Sequence, residues 1–197
     1  MVKVKICGIT NYRDALAACR LGADALGFVF AKSPRRITPG KAKGIIKKLP
    51  PKVVTVGIFA DEKKENVLRI ARDCRLDCIQ LHGKESPGYC KGLKKCYRII
   101  KAVRVRGRQD LKGLERYDVD ALLLDSRERA LIAPVAKRLG RSIPVILAGG
   151  LDPYNIEDAV KKVRPYAVDA SSGLESSPGR KDYNLVKKFI EKAKKTN

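Results

Sequence analysis

Eight short runs of apolar and β-branched residues recur along the chain, separated by stretches of helical periodicity. They are Val2–Ile6, Ala25–Phe30, Val53–Phe59, Cys78–Leu81, Tyr97–Ala102, Ala121–Leu124, Val145–Ala148 and Ala167–Ala170. Strands alternating with helices form βα units, and strands joined in that way run parallel. Eight units in 197 residues leave about 25 residues each, close to the lower limit of a closed eight-stranded barrel. The pattern predicts an α/β fold, a (β/α)8 barrel with short loops. A five-stranded doubly wound sheet is the rival, and it requires several of these strands to be illusory. No Gly/Ser linker, charge block or low-complexity tract divides residues 1–197, so one domain is expected.

Several helices can be placed from their apolar spacing. Tyr12, Leu16 and Cys19 fall on one face of a helix that opens at Thr10 or Asn11 and stops at Gly22. Val67, Leu68, Ala71 and Cys74 mark another. Asp152 as cap and Pro153 at the first helical position open a segment that buries Ile156, Ala159, Val160 and Val163. Leu185, Val186, Phe189 and Ile190 define the last.

Composition excludes some classes. An apolar fraction of 44% is ordinary for a globular protein and argues against disorder. No apolar run approaches the roughly 20 residues that cross a bilayer. Met1–Ile6 carries no apolar signal core or small-residue cleavage site, so a cytoplasmic protein is expected. The six cysteines form no paired knuckles, and His82 is the only histidine. All but Cys7 are expected to be small buried hydrophobes, with no metal site. The net charge of +22 would suit a polyanion. However, the excess Lys and Arg sit in helix-like positions such as Lys47-Lys48 and Lys187-Lys188, with few aromatics among them. Solvated helix faces explain them better than a nucleic-acid surface, and the field would also attract a small anionic substrate.

In a parallel barrel the chemistry lies on the loops after the strands. Gly149-Gly150 after strand seven and Ser171-Ser172-Gly173 after strand eight suit a phosphate cradle, since adjacent strands bring backbone N–H groups and hydroxyls together. They could equally be two tight turns that need glycine. Cys7 and Asp125 end strands one and six, on separate sides of the mouth, as two-sided proton transfer requires. By spacing alone, Cys7 could be a packed small residue and Asp125 a cap for the helix from Arg127 onward.

The motifs resemble one family. Lys5-Ile6-Cys7-Gly8-Ile9-Thr10 is similar to the opening signature of phosphoribosylanthranilate isomerases. The likeness continues through Gly27–Phe30, Ser33-Pro34-Arg35, Val56–Phe59, Gln80-Leu81-His82-Gly83, Leu147–Leu151, Val168–Glu175 and Pro178–Asp182, in the family's order. The resemblance implies a (β/α)8 barrel that works without metal or organic cofactor. It implies an Amadori rearrangement of N-(5-phosphoribosyl)anthranilate to 1-(2-carboxyphenylamino)-1-deoxyribulose 5-phosphate, the third step of tryptophan synthesis from chorismate. By the family's pattern Asp125 is the general acid that opens the ribose ring and Cys7 the base that removes the C2 proton. Arg35 meets the anthranilate carboxylate, and His82 lines the pocket or plays a buried structural part. Gly149, Gly150, Ser171, Ser172 and Gly173 surround the phosphate. The expected partner is a small phosphorylated substrate, with no nucleic acid or membrane, for a monomer or homodimer.

The chain departs from the family at one place. A longer Gly-rich loop ending in aromatic-Asp-aromatic normally follows the strand-six Asp, whereas Ser126-Arg127-Glu128-Arg129 follows Asp125 directly. A closing lid is therefore not expected in its usual form. Pro134 is expected to break or kink the following helix unless it marks a late start. Ala170 stands where valine is usual. Two rival functions remain: an enzyme acting on a related sugar phosphate, and a barrel that binds phosphorylated ligands or nucleic acid with weak or lost activity.

Overall fold

The computed structural model describes residues 1–196. Eight parallel strands close into a barrel in sequence order: β1 Lys3–Cys7, β2 Ala25–Val29, β3 Val54–Phe59, β4 Cys78–Leu81, β5 Arg98–Arg104, β6 Ala121–Asp125, β7 Val145–Ala148 and β8 Ala167–Ala170. Seven α-helices surround them: α1 Tyr12–Arg20, α2 Pro39–Ile46, α3 Lys64–Cys74, α4 Pro87–Lys94, α5 Arg129–Leu139, α6 Ile156–Val163 and α7 Tyr183–Lys195. After β8 a short antiparallel hairpin, β9 Glu175–Ser177 and β10 Arg180–Lys181, precedes α7.

Alternation along each strand sorts the side chains. Val4 and Ile6 of β1 join the core between barrel and helices, while Cys7 faces inward with Val56, Ile58, Cys78, Ile100, Leu123 and Ile146. At the N-terminal rim, Asp24, Asp77 and Asp120 each precede an even-numbered strand. Each accepts from a backbone N–H of the strand before it, Val4 at 2.9 Å, Thr55 at 2.8 Å and Ile99 at 2.7 Å. These carboxylates clip strands together at the face away from the chemistry.

The strand and helix pattern read from the sequence holds, with five corrections. On α1 the buried residues are Asp14, Ala15 and Ala18, while Tyr12 is exposed and Leu16 and Cys19 are half-buried. Small alanines let this helix approach the barrel closely. No α-helix joins β5 to β6. Gly107 and Gly113 interrupt that stretch, and two 3₁₀ turns, Arg108–Leu111 and Leu114–Arg116, cover the barrel with Leu111 and Leu114 instead. The helix placed at Asp152-Pro153 begins at Ile156. Asp152 caps the preceding turn, its carboxylate accepting from Tyr154 and Asn155. Cys96, expected inside, is exposed, whereas Cys74, Cys78 and Cys90 are buried. Finally, α5 runs through Pro134 from Arg129, so the proline neither ends it nor marks its start.

Pro134 is exposed, so its ring contributes nothing to the core, and it withholds the N–H that the helix would use there. Pro134→Ala is therefore expected to stabilise the protein by about 1–3 kcal/mol, read as a higher urea midpoint with an unchanged slope. An unchanged or lower midpoint would refute this view of α5.

Candidate active site

The C-terminal ends of the strands enclose a cavity of about 480 Å³. Cys7, Arg35, His82, Asp125, Gly149, Gly150, Ser171 and Ser172 line it, so nearly all the residues singled out in the sequence converge on one space. Gly173 does not line it. A Cβ at Gly173 would collide with the Leu151 carbonyl, so this glycine lets the loop after β8 pack on the loop after β7.

Cys7 is the last residue of β1, with its thiol directed into the barrel. Gly27, its partner in register on β2, leaves room: a Cβ there would lie 2.8 Å from Sγ. Two residues earlier on the same strand face is Lys5, whose ammonium meets Asp169 of β8 at 2.9 Å. Their side chains are only 4% and 9% exposed. Burial raises the Cys7 thiol pKa, and it stays raised although the Lys5 and Lys181 ammoniums offset part of the effect, against Asp169. At Lys5, burial lowers the pKa, but Asp169 and Cys7 outweigh it and the net shift is upward.

Asp125 ends β6 across the mouth. Its Oδ2 lies 3.5 Å from His82 Nε2, and Gln80 Nε2 lies 3.1 Å from His82 Nδ1. With Gln80 donating to Nδ1, Nε2 carries the proton and turns it toward Asp125. That hydrogen bond is the main reason the Asp125 carboxyl lies below the usual range. Burial opposes it, and the Arg104 and Arg129 guanidiniums reinforce it. Asp125 is not the cap of α5. The N-cap position is Glu128, without a side-chain cap, and the Ser126 Oγ accepts from the Glu128 N–H at 3.1 Å in the turn before the helix.

In place of a long loop, the segment after β6 is a tight turn braced by Arg129. Its guanidinium donates to the carbonyls of Ser126, Ala148 and Gly149, tying this turn to the end of β7. Gly149 has φ +99° and Gly150 φ +61°, and a Cβ at Gly149 would lie 2.6 Å from backbone atoms of Ser126. The Ser171 hydroxyl is buried, without a partner among the described residues. Arg35 is held by Glu175, which Lys181 also contacts.

Sequence reasoning missed Lys5, Asp169, Gln80, Arg104, Arg129, Glu175 and Lys181 as members of the site. One signal was available for Arg129: α5 has no acidic residue in its first turn, and a cation there opposes the helix dipole. Period-two alternation also put Lys5 on the inward face with Cys7.

The fold and this mouth define a (β/α)8-barrel enzyme whose reacting groups lie on the loops after the strands. A family model described as N-(5'phosphoribosyl)anthranilate (PRA) isomerase matches residues 4–192. An N-(5'-phosphoribosyl)anthranilate isomerase of Geobacter sp. strain M21 is 52% identical over 207 aligned residues, covering 99% of both chains. A phosphoribosyl anthranilate isomerase solved in complex with reduced 1-(o-carboxyphenylamino)-1-deoxyribulose 5-phosphate has a TM-score of 0.94 and 44% identity, covering 99% of this chain and 100% of that one. Monomers of the dimeric enzyme from Thermotoga maritima give 0.93 and 42%, over 99% and 100%. The chain belongs to the N-(5'-phosphoribosyl)anthranilate isomerase family.

Gly149→Val is expected to lower stability as well as activity, because it combines a positive φ with a backbone collision. A loss of about 1–3 kcal/mol in denaturant titration, together with a raised KM, would fit. A variant of parental stability with raised KM alone would mean the positive φ is not needed for folding.

Proposed function

We propose that this isomerase converts N-(5'-phosphoribosyl)anthranilate to 1-(2-carboxyphenylamino)-1-deoxyribulose 5-phosphate with Cys7 as general base and Asp125 as general acid. The observation that carries the assignment is that a thiol and a carboxylate, ending β1 and β6, line one cavity whose wall also includes Gly149, Gly150, Ser171 and Ser172. Asp125 protonates the ribose ring oxygen, the C1–O bond breaks, and the anthranilate nitrogen forms the Schiff base. Cys7 then takes the C2 proton, and the electron pair moves toward nitrogen to give an enolamine that tautomerises to the ketone. The two loops hold the phosphate, and Arg35 meets the carboxylate. No step in this scheme draws on a metal or organic cofactor.

In the resting site the proton balance runs the other way. Burial favours the Cys7 thiol, and His82 favours the Asp125 carboxylate. Substrate binding excludes water around Asp125, which raises its proton affinity, while Lys5 and Lys181 hold down the cost of a thiolate.

No helix among the described residues is long and apolar enough to cross a membrane. A cytoplasmic location and a monomer or homodimer fit this reading, with a small phosphorylated substrate as partner rather than nucleic acid. The basic surface then acts as a steering field.

Cys7→Ser replaces a thiol of ordinary pKa near ~8.5 with a far weaker acid, and is expected to cut kcat by about 100-fold or more while leaving the thermal melt unchanged. Asp125→Asn keeps the shape but cannot donate the proton, so kcat and kcat/KM fall together. A rise in KM alone would make Asp125 a binding residue. The field has its own test. Exposed charges are screened beyond about 10 Å at 0.1 M salt, so kcat/KM should fall as salt is added. Tight, salt-sensitive nucleic-acid binding without isomerase activity would instead favour the binding-protein reading.

A further inference from the structure

Arg35 sits on the loop after β2, where a long side chain would ordinarily sample many rotamers. Glu175 removes that freedom. Its two oxygens accept from Arg35 Nε at 2.8 and 3.0 Å, and Oε2 accepts from Nη2 at 2.7 Å. Nη1 has no partner among the described residues, and Arg35 lines the cavity. Gly8 completes the seat: it has φ +80°, and a Cβ there would lie 2.5 Å from Arg35 Cδ.

Glu175 is held in turn. It opens β9 in register with Lys181 of β10, whose Nζ donates to Oε1 at 2.8 Å and to the Ser171 carbonyl at 3.3 Å. The side chains of Glu175 and Lys181 are 4% and 1% exposed. The Lys181 N–H donates to Asp14 Oδ2 at 2.9 Å, which anchors the hairpin to α1. The two cations hold Glu175 ionised against its burial.

Buried ion pairs contribute little stability compared with apolar packing, so stability alone does not explain this wall of the cavity. Arg35 and Lys181 outnumber Glu175 by one positive charge, which one carboxylate would neutralise. We propose that Glu175 is a positioning residue that presents Arg35 Nη1 to the substrate carboxylate, and that Lys181 holds Glu175 in place to do so. This rests on the reading of Arg35 given above. Because the bond changes occur near Cys7 and Asp125, losing this contact should weaken binding more than chemistry.

The test compares Glu175→Gln, Glu175→Asp, Arg35→Met and the double variant Glu175→Gln/Arg35→Met. It reads KM, kcat and competitive inhibition by anthranilate and by inorganic phosphate. Glu175→Gln and Arg35→Met should each raise KM and the anthranilate Ki by about tenfold or more, with kcat within about threefold and the phosphate Ki unchanged. The double variant should be no worse than Arg35→Met, because both act through one contact. Glu175→Asp keeps the charge but cannot span both nitrogens, and it should fall between parent and Glu175→Gln. If Glu175→Gln does not fold, Glu175→Asp carries the comparison. A parental anthranilate Ki in the Glu175 variants, with a raised one in Arg35→Met, would overturn the positioning role. So would an equal loss of phosphate binding, which would show the mouth as a whole to be disturbed. A parental anthranilate Ki in Arg35→Met would remove Arg35 from carboxylate recognition, and this proposal with it.

Discussion

Closure of eight parallel strands is the constraint on which the rest depends. In a closed barrel no strand has a free edge, and every second side chain must point into a narrow interior. The register then decides which inward residues meet. Lys5 on β1 stands beside Asp169 on β8, and a lysine in the middle of a barrel becomes tolerable because its counterion arrives from a residue 164 positions away in sequence. Gly27 stands beside Cys7 on β2, leaving space for the thiol. All strands run the same way, so the side chains that end them, Cys7 and Asp125 among them, share one rim.

The two rims use charge differently. At the N-terminal rim, Asp24, Asp77 and Asp120 satisfy backbone N–H groups between neighbouring strands, a use of carboxylates that serves the fold alone. Toward the other end, Lys5–Asp169 inside the barrel and Arg35–Glu175–Lys181 at the mouth hold side chains around a cavity. Each buried ion there costs desolvation that a hydrocarbon would not. What the charges supply is orientation and a local field. The field acts on Cys7, where the Lys5 and Lys181 ammoniums offset part of the burial that raises the thiol pKa.

The mouth is also braced between loops. Arg129 donates to carbonyls at the ends of β6 and β7, Gly173 admits the Leu151 carbonyl, and Gly8 admits Arg35. After β6 the chain makes only a short turn, which Arg129 pins. The site is shaped by contacts among short loops, in keeping with a barrel of only 197 residues.

Much of this was legible in the sequence. Short apolar and β-branched runs separated by helical patterns established eight strands, because residue type and amphipathy are local properties of the chain. The position of Cys7, Asp125 and the paired glycines just after strand ends was enough to place them at one mouth. Gly107 and Gly113 hinted at the missing helix between β5 and β6, but their effect depended on what else could cover the barrel there. The tertiary structure alone decided that Asp125 faces His82 rather than capping α5, that α5 tolerates Pro134, and that Gly173 serves packing. It also decided that Lys5 finds Asp169 and that Glu175 holds Arg35. Apart from Pro134, each of these is a contact between segments well separated in sequence, and a chain's local preferences carry no information about which distant side chain will neutralise a buried charge. That is set by strand register and barrel closure, which exist only once the whole chain has folded.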